Sequence, residues 1–211
     1  LWSEPFVYGR KTWVAAFNTS PAGFGYGGIR AHDDSIKSMS GKIPRSAAGS
    51  EIYAIEYSDS PVVTVFNGET LTTTRTLSVG ASVQQVKARA GFAAVLTWLS
   101  SAQTQIAAIV IDAKTGEEKA RKVIGTSDPD ARSIVDVAVN SRHFALIMQG
   151  AQDLIELYSI ETGALVDVVQ SYGAQGIAMN EKYLVAALMS GENGAPFGTP
   201  GGGVDVYRVR P

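Results

Sequence analysis

The chain has 211 residues, 45% of them apolar and 18% charged, and 18 Lys and Arg against 20 Asp and Glu leave a formal net charge of −2. That length holds one large domain or two small ones, and the absence of any block of like charges argues against a nucleic-acid groove or a polybasic membrane patch. There is no cysteine, which excludes disulfides, thiolate metal sites and cysteine nucleophiles, and no apolar run reaches the roughly 18 residues of a membrane helix.

The elements predicted along the chain are all strands. Short runs that open on a bulky residue recur at Trp13–Phe17, Ile52–Glu56, Phe92–Leu96, Phe144–Met148 and Leu184–Leu188, with starts roughly 40 residues apart and once about 50. Small alanines among large residues suit strands covered on both faces. After each run comes a turn and an alternating strand: Val62–Phe66, Ile106–Ile111, Leu154–Ile160 and Val204–Val209. A glycine corner follows three of these, at Asn67-Gly68-Glu69-Thr70, Asp112-Ala113-Lys114-Thr115-Gly116-Glu117 and Ser159-Ile160-Glu161-Thr162-Gly163-Ala164. Glycine there supplies the positive φ of a tight turn. Further strands are predicted at Leu71–Leu77, Lys119–Ile124 and Ala164–Val169, and shorter ones at Val83–Lys87, Ile134–Val139 and Gly176–Met179. No dozen residues show a 3.6 period, and glycines interrupt the chain throughout. The pattern predicts an all-β fold of about five four-stranded units.

The strand–corner–strand pattern, as in Leu154 to Gly163, resembles blades of the WD-repeat, quinoprotein-like and YVTN groups of β-propellers. The last unit, with Tyr183-Leu184-Val185-Ala186-Ala187 and Gly203-Val204-Asp205-Val206-Tyr207, resembles an FG-GAP blade that lacks the calcium-binding loop, so no metal is implied. The resemblance implies one β-propeller domain over residues 1–211, with units at about 10–45, 46–80, 81–127, 128–173 and 174–211. The last unit lacks a fourth strand, which Leu1 to Gly9 is expected to supply, closing a five-bladed ring. The alternative is that the chain forms part of a ring of six to eight blades. The chain starts at Leu1, so it is either processed or a fragment, and an extracytoplasmic or secreted setting is slightly favoured over a cytoplasmic one.

Two Gly- and Pro-rich segments are expected as long loops: Asn18 to Gly28, carrying Phe24 and Tyr26, and Ser190 to Gly203, carrying Phe197. Aromatics on such loops present contact area to a protein partner, and these three residues are the predicted partner-binding set. The competing reading packs them against the rim between blades. Neither segment contains a P-loop lysine, so phosphate binding is not implied. His32-Asp33-Asp34 reads as a solvated strand end, since neighbours on a strand point to opposite faces, and His143 sits at a strand entry between Arg142 and Phe144. No catalytic residue, metal ligand or cofactor is predicted. A glycoside hydrolase needs two carboxyl groups about 5 to 9.5 Å apart, and the innermost strands offer Asp136 and little else. The sequence therefore predicts a non-enzymatic scaffold that binds protein through its loops; the alternative is a carbohydrate-active propeller, lectin or hydrolase.

Overall fold

In the computed structural model the backbone is described for residues 6–8, 11–20, 23–30, 36–38, 42–56, 60–125, 133–150, 152–188 and 203–209, with side chains in all but the first four stretches. Nineteen strands among these residues form five antiparallel sheets. The first holds β1 (Phe6–Tyr8), β2 (Lys11–Ser20), β3 (Gly23–Arg30) and β4 (Ile36–Ser38). The second holds β5 (Lys42–Ala48), β6 (Glu51–Glu56), β7 (Val62–Asn67) and β8 (Thr73–Ser78). The third holds β9 (Ser82–Arg89), β10 (Phe92–Trp98), β11 (Gln105–Asp112) and β12 (Glu118–Gly125). The fourth holds β13 (Ser133–Val139), β14 (His143–Gln149), β15 (Leu154–Ser159) and β16 (Leu165–Gln170). The fifth has three strands, β17 (Ala174–Met179), β18 (Tyr183–Leu188) and β19 (Gly203–Arg208). Strand order in every sheet follows chain order, and each sheet packs against the next.

Two apolar faces per sheet explain this stacking. On β14, Phe144, Leu146 and Met148 face the third sheet with Leu96 and Val110, while Ala145 and Ile147 face the fifth with Ile177 and Leu184. The third sheet does the same, with Ala93, Val95 and Ile109 toward the second and Ala94, Leu96 and Val110 toward the fourth. A sheet buried on both sides cannot keep a polar alternate position, so its middle strands read as continuous apolar runs. The alanines at 93, 94, 107 and 108 are fully buried and let the sheets approach closely. A stacked pair of rings, Phe144 and Tyr158 with centroids 5.1 Å apart, lies on the third-to-fourth seam beneath the Lys122 ammonium, 5.3 Å from the Tyr158 ring.

The repeat is written in irregularities as well as in sequence. The innermost strands of the second to fifth sheets each carry one extra residue opposite their partners: Arg45 on β5, Gln84 on β9, Val135 on β13 and Gln175 on β17. Each described fourth strand that pairs with a buried third strand carries another, at Thr74, Lys119 and Val166. Such bulges add local twist and reset which face a side chain meets.

Three expectations from sequence change. Phe6–Tyr8, in the segment expected to complete the last sheet, pairs instead with β2, in register Phe6↔Trp13 to Tyr8↔Lys11. Only two residues separate these strands, so the local hairpin closes a far shorter loop than pairing with β19 would. The first sheet accordingly ends at Ser38, and the strand at Lys42–Ala48 opens the second sheet rather than straddling a unit boundary at residue 45. Finally, Asn18 to Gly28 is no loop: β2 and β3 pair from Trp13↔Arg30 to Ser20↔Gly23.

Gly80, in the crossover between the second and third sheets, fixes how they meet. Its φ is +64°, and a Cβ there would lie 2.2 Å from Thr97 Oγ1 and 2.8 Å from the Trp98 carbonyl oxygen. Gly49 has a similar φ of +59° with nothing within 4 Å. We expect Gly80→Ala to destabilise by about 3 kcal/mol or more and Gly49→Ala by about 1 kcal/mol in urea unfolding, the difference being the clash rather than the backbone.

Candidate functional site

Two places gather polar side chains from more than one sheet. The first lies along the innermost strands. Asp136, 2% exposed on β13, accepts hydrogen bonds from the Lys87 ammonium of β9, from the Val137 amide at 2.8 Å and from the Ile177 amide of β17 at 2.8 Å. Lys87 Nζ also donates to the Ile177 carbonyl at 2.7 Å. One carboxylate and one ammonium therefore tie three consecutive sheets. Unbroken pairing back from the turn, Val139↔Phe144 to Asp136↔Ile147, places Asp136 on the face that meets the fifth sheet, next to the bulge at Val135. Asp136 is the only carboxylate on β5, β9, β13 and β17. Removing one partner of such a pair strands the other in low dielectric. Asp136→Ala is therefore expected to cost about 3 to 5 kcal/mol. The double variant Lys87→Met, Asp136→Leu should recover most of it in denaturant titration.

The second place is one end of the sheets, where the turns between first and second and between third and fourth strands emerge together. Asparagine and aspartate side chains cap these turns. Asn140 Oδ1 accepts from the Arg142 and His143 amides at 2.8 and 2.7 Å, and Asn180 Oδ1 does the same for Lys182 and Tyr183 at 2.8 Å each. Asn67 and Asp112 cap the glycine corners that follow β7 and β11. Neighbouring turns are then bonded within each sheet by one repeated contact: the amides of Gly68, Ala113, Ile160 and Val209 donate to the carbonyls of Ser50, Gly91, Arg142 and Lys182, all at 2.8 Å. Bonds also cross between sheets. Arg75 grips Glu51 through both carboxylate oxygens and donates from Nε to the Ala113 carbonyl at 2.9 Å. Ser141 Oγ donates to Glu181 at 2.6 Å. The Arg75 guanidinium holds the Glu51 carboxyl below its ordinary range.

Between the third and fourth sheets this turn end opens into a cleft of about 420 Å³. Phe92 and Ile160 give it an apolar floor, and Lys119, Arg142, His143 and Glu161 surround them. Lys119 is the bulge residue of β12 and pairs with Glu117 at 2.6 Å. The volume falls within the range of small-molecule and peptide side-chain sites. Burial first, and then the Arg142 guanidinium beside it, hold the His143 imidazole below its ordinary 6.5, against a smaller upward pull from Glu181. Its Nδ1 is buried without a hydrogen-bond partner among the described residues. A histidine whose folded pKa is depressed favours folding above its unfolded pKa, and that contribution is lost as pH falls through the folded value. His143 is therefore expected to titrate below 6.5 by NMR and to make the fold less stable as pH falls through that lowered pKa, an effect His143→Gln should remove.

The sequence singled out His143 and Asp136 without their surroundings, and neither the cleft nor the axial tie was foreseen. Phe24 and Tyr26 lie on β3, opposite Thr19 and Phe17 respectively. Phe197 and the His32-Asp33-Asp34 cluster lie outside the described residues. Among the described residues no three His, Cys, Asp or Glu side chains gather as metal ligands.

No family model matches the chain, and no curated protein matches it. Among solved structures it is similar to hydrazine synthase of Kuenenia stuttgartiensis, with 15% identity and a TM-score of 0.63 over 98% of this chain and 62% of that one. It is also similar to the β-propeller domain of Cps50 (Swd1) of Myceliophteria thermophila, with 8% identity and a TM-score of 0.60 over 95% of this chain and 67% of that one. The chain thus spans less than two thirds of the hydrazine synthase chain it matches. At these identities the likeness is one of fold, and the fold is that of a β-propeller whose blades are the five sheets.

Proposed function

We propose that this β-propeller is a non-enzymatic binding module that receives an acidic segment of a protein partner in the cleft between its third and fourth blades. The observation that carries this reading is the cleft's lining: Arg142, the imidazole of His143 and Lys119, which pairs with Glu117, together with the Glu161 carboxylate and the apolar Phe92 and Ile160. A carboxylate side chain on an apolar anchor matches such a site, the charges steering approach and the apolar floor retaining the partner. The bonded turns support it too, because a surface fixed before binding loses little conformational entropy on association. Phe24, Tyr26 and Phe197 are proposed as a second contact surface for a protein partner.

The carbohydrate-active alternative finds less support. Asp136 already accepts from an ammonium and two amides, and β5, β9, β13 and β17 offer no second carboxylate to complete a glycosidase pair.

Labelled acidic peptides of about a dozen residues with one central aromatic, set against lysine-substituted counterparts, test the proposal by fluorescence anisotropy. The acidic set should bind, weaken several-fold as salt rises from about 0.05 to 0.3 M, and lose about tenfold in affinity with Arg142→Glu. Equal binding of both sets, or affinity that ignores Arg142→Glu, would overturn it.

A further inference from the structure

The fourth and fifth blades carry the same device at their inner turns, and comparing them exposes what the fifth lacks. Asn140-Ser141-Arg142-His143 and Asn180-Glu181-Lys182-Tyr183 form the same capped turn, with the same pair of amides on each asparagine. Their third strands also match, since Tyr158 donates to Glu156 two residues before it and Tyr207 to Asp205. The strand pairings then set Ala138, Ala145, Ile147, Ile155 and Leu157 in the fourth blade against Ala178, Val185, Ala187, Val204 and Val206 in the fifth.

The first set is buried throughout, because the fifth blade covers it. The second set faces away from the fourth blade, and Val204 and Val206 are 65% and 62% exposed. Register puts Tyr183, exposed as well, on that same face. The turn asparagines differ in the same way. Asn140 is 1% exposed and its Nδ2 donates to the Asn180 carbonyl of the next blade at 3.1 Å. Asn180 holds the equivalent place and is exposed.

We infer that this outward face of the fifth blade is an interface for a further blade, carried by the same polypeptide outside residues 1–211. Three observations choose that occupant. The face is continuous with the blade-to-blade interface already formed on the equivalent residues of the fourth blade. It is apolar and flat, as a sheet-packing face is and a charged partner's footprint is not. The β-propeller domain of Cps50 (Swd1), to which the chain is similar, extends beyond the part this chain matches, which is 67% of it. The further blade would bury Val204 and Val206 and offer a turn carbonyl to the Asn180 side-chain amide. This inference is independent of the cleft proposal and survives its failure.

A photo-reactive diazirine amino acid at position 206, in the gene product as its source organism makes it, tests this directly. After irradiation the adduct should map by mass spectrometry to a peptide of the same polypeptide outside residues 1–211, with no gain in mass on a denaturing gel. An adduct within residues 6–38 would mean that the first blade closes the ring, and would overturn the inference. A gain in mass, from a second copy or a different protein, would overturn it as well, as would adducts with water alone. If the residue at 206 prevents folding, the same label at position 204 reads the same face.

Discussion

A single buried ion pair holds the inner end of this fold in place. Lys87, Asp136 and the backbone of Ile177 come from three successive blades, and no two of them are neighbours in sequence. Taking an ammonium and a carboxylate out of water is unfavourable, and attraction between them offsets it only when the remaining donors and acceptors are also met. Here the two Ile177 groups and the Val137 amide supply part of that complement. The pair is satisfied only when the third, fourth and fifth blades stand in one relation, so it acts on relative placement more than on total stability. The hydrophobic seams between blades are non-directional by comparison and would tolerate sliding.

The turn end completes what the axis begins. There the blades are joined by short polar bonds: Arg75, held by Glu51 of its own blade, to the Ala113 carbonyl, Asn140 to the Asn180 carbonyl, and Ser141 to Glu181. The cleft lies on a seam between blades rather than inside one, so its lining charges come from two elements held at fixed separation. Burial and the Arg142 guanidinium hold the His143 pKa below its ordinary value, and its Nδ1 has no hydrogen-bond partner among the described residues.

Much of the fold was legible because stacked sheets leave a strong trace. Runs such as Phe144–Met148 are buried on both faces and cannot hide a polar residue, so their apolar character is continuous and their period is plain. Two of the three glycine corners were equally visible, since Gly116 and Gly163 both take positive φ, whereas at the third Leu71 takes it in place of Gly68. What failed was composition used as a proxy for conformation. Gly23 to Gly28 reads as a loop, but β3 is long and pairs residue for residue with β2, which glycine permits as readily as it permits a turn. The strand β5 escaped notice because Pro44 and the bulge at Arg45 break its alternation. The site was largely illegible for a different reason. Asp136 and Lys87 are 49 residues apart, and the cleft brings residues of β10 and β12 to the turns at 141–143 and 159–161; nothing local encodes either meeting.

The bulges on the innermost strands have a consequence for how this protein can change. Over the paired stretch each of these strands has one residue more than its partner, and the surplus falls at the same level in the third, fourth and fifth blades and two positions nearer the turn in the second. Swapping one axial side chain for another leaves that count intact, so positions lining the axis other than Lys87 and Asp136 can vary in kind. Losing or gaining a single residue there is a different event. Deleting Val135 would let Ile134 and Asp136 pair with Met148 and Ile147 without interruption, and would remove the local bend and twist that the bulge adds beside the axis. The architecture is therefore permissive toward substitution and strict about length, which is how blades with little shared sequence can keep one geometry.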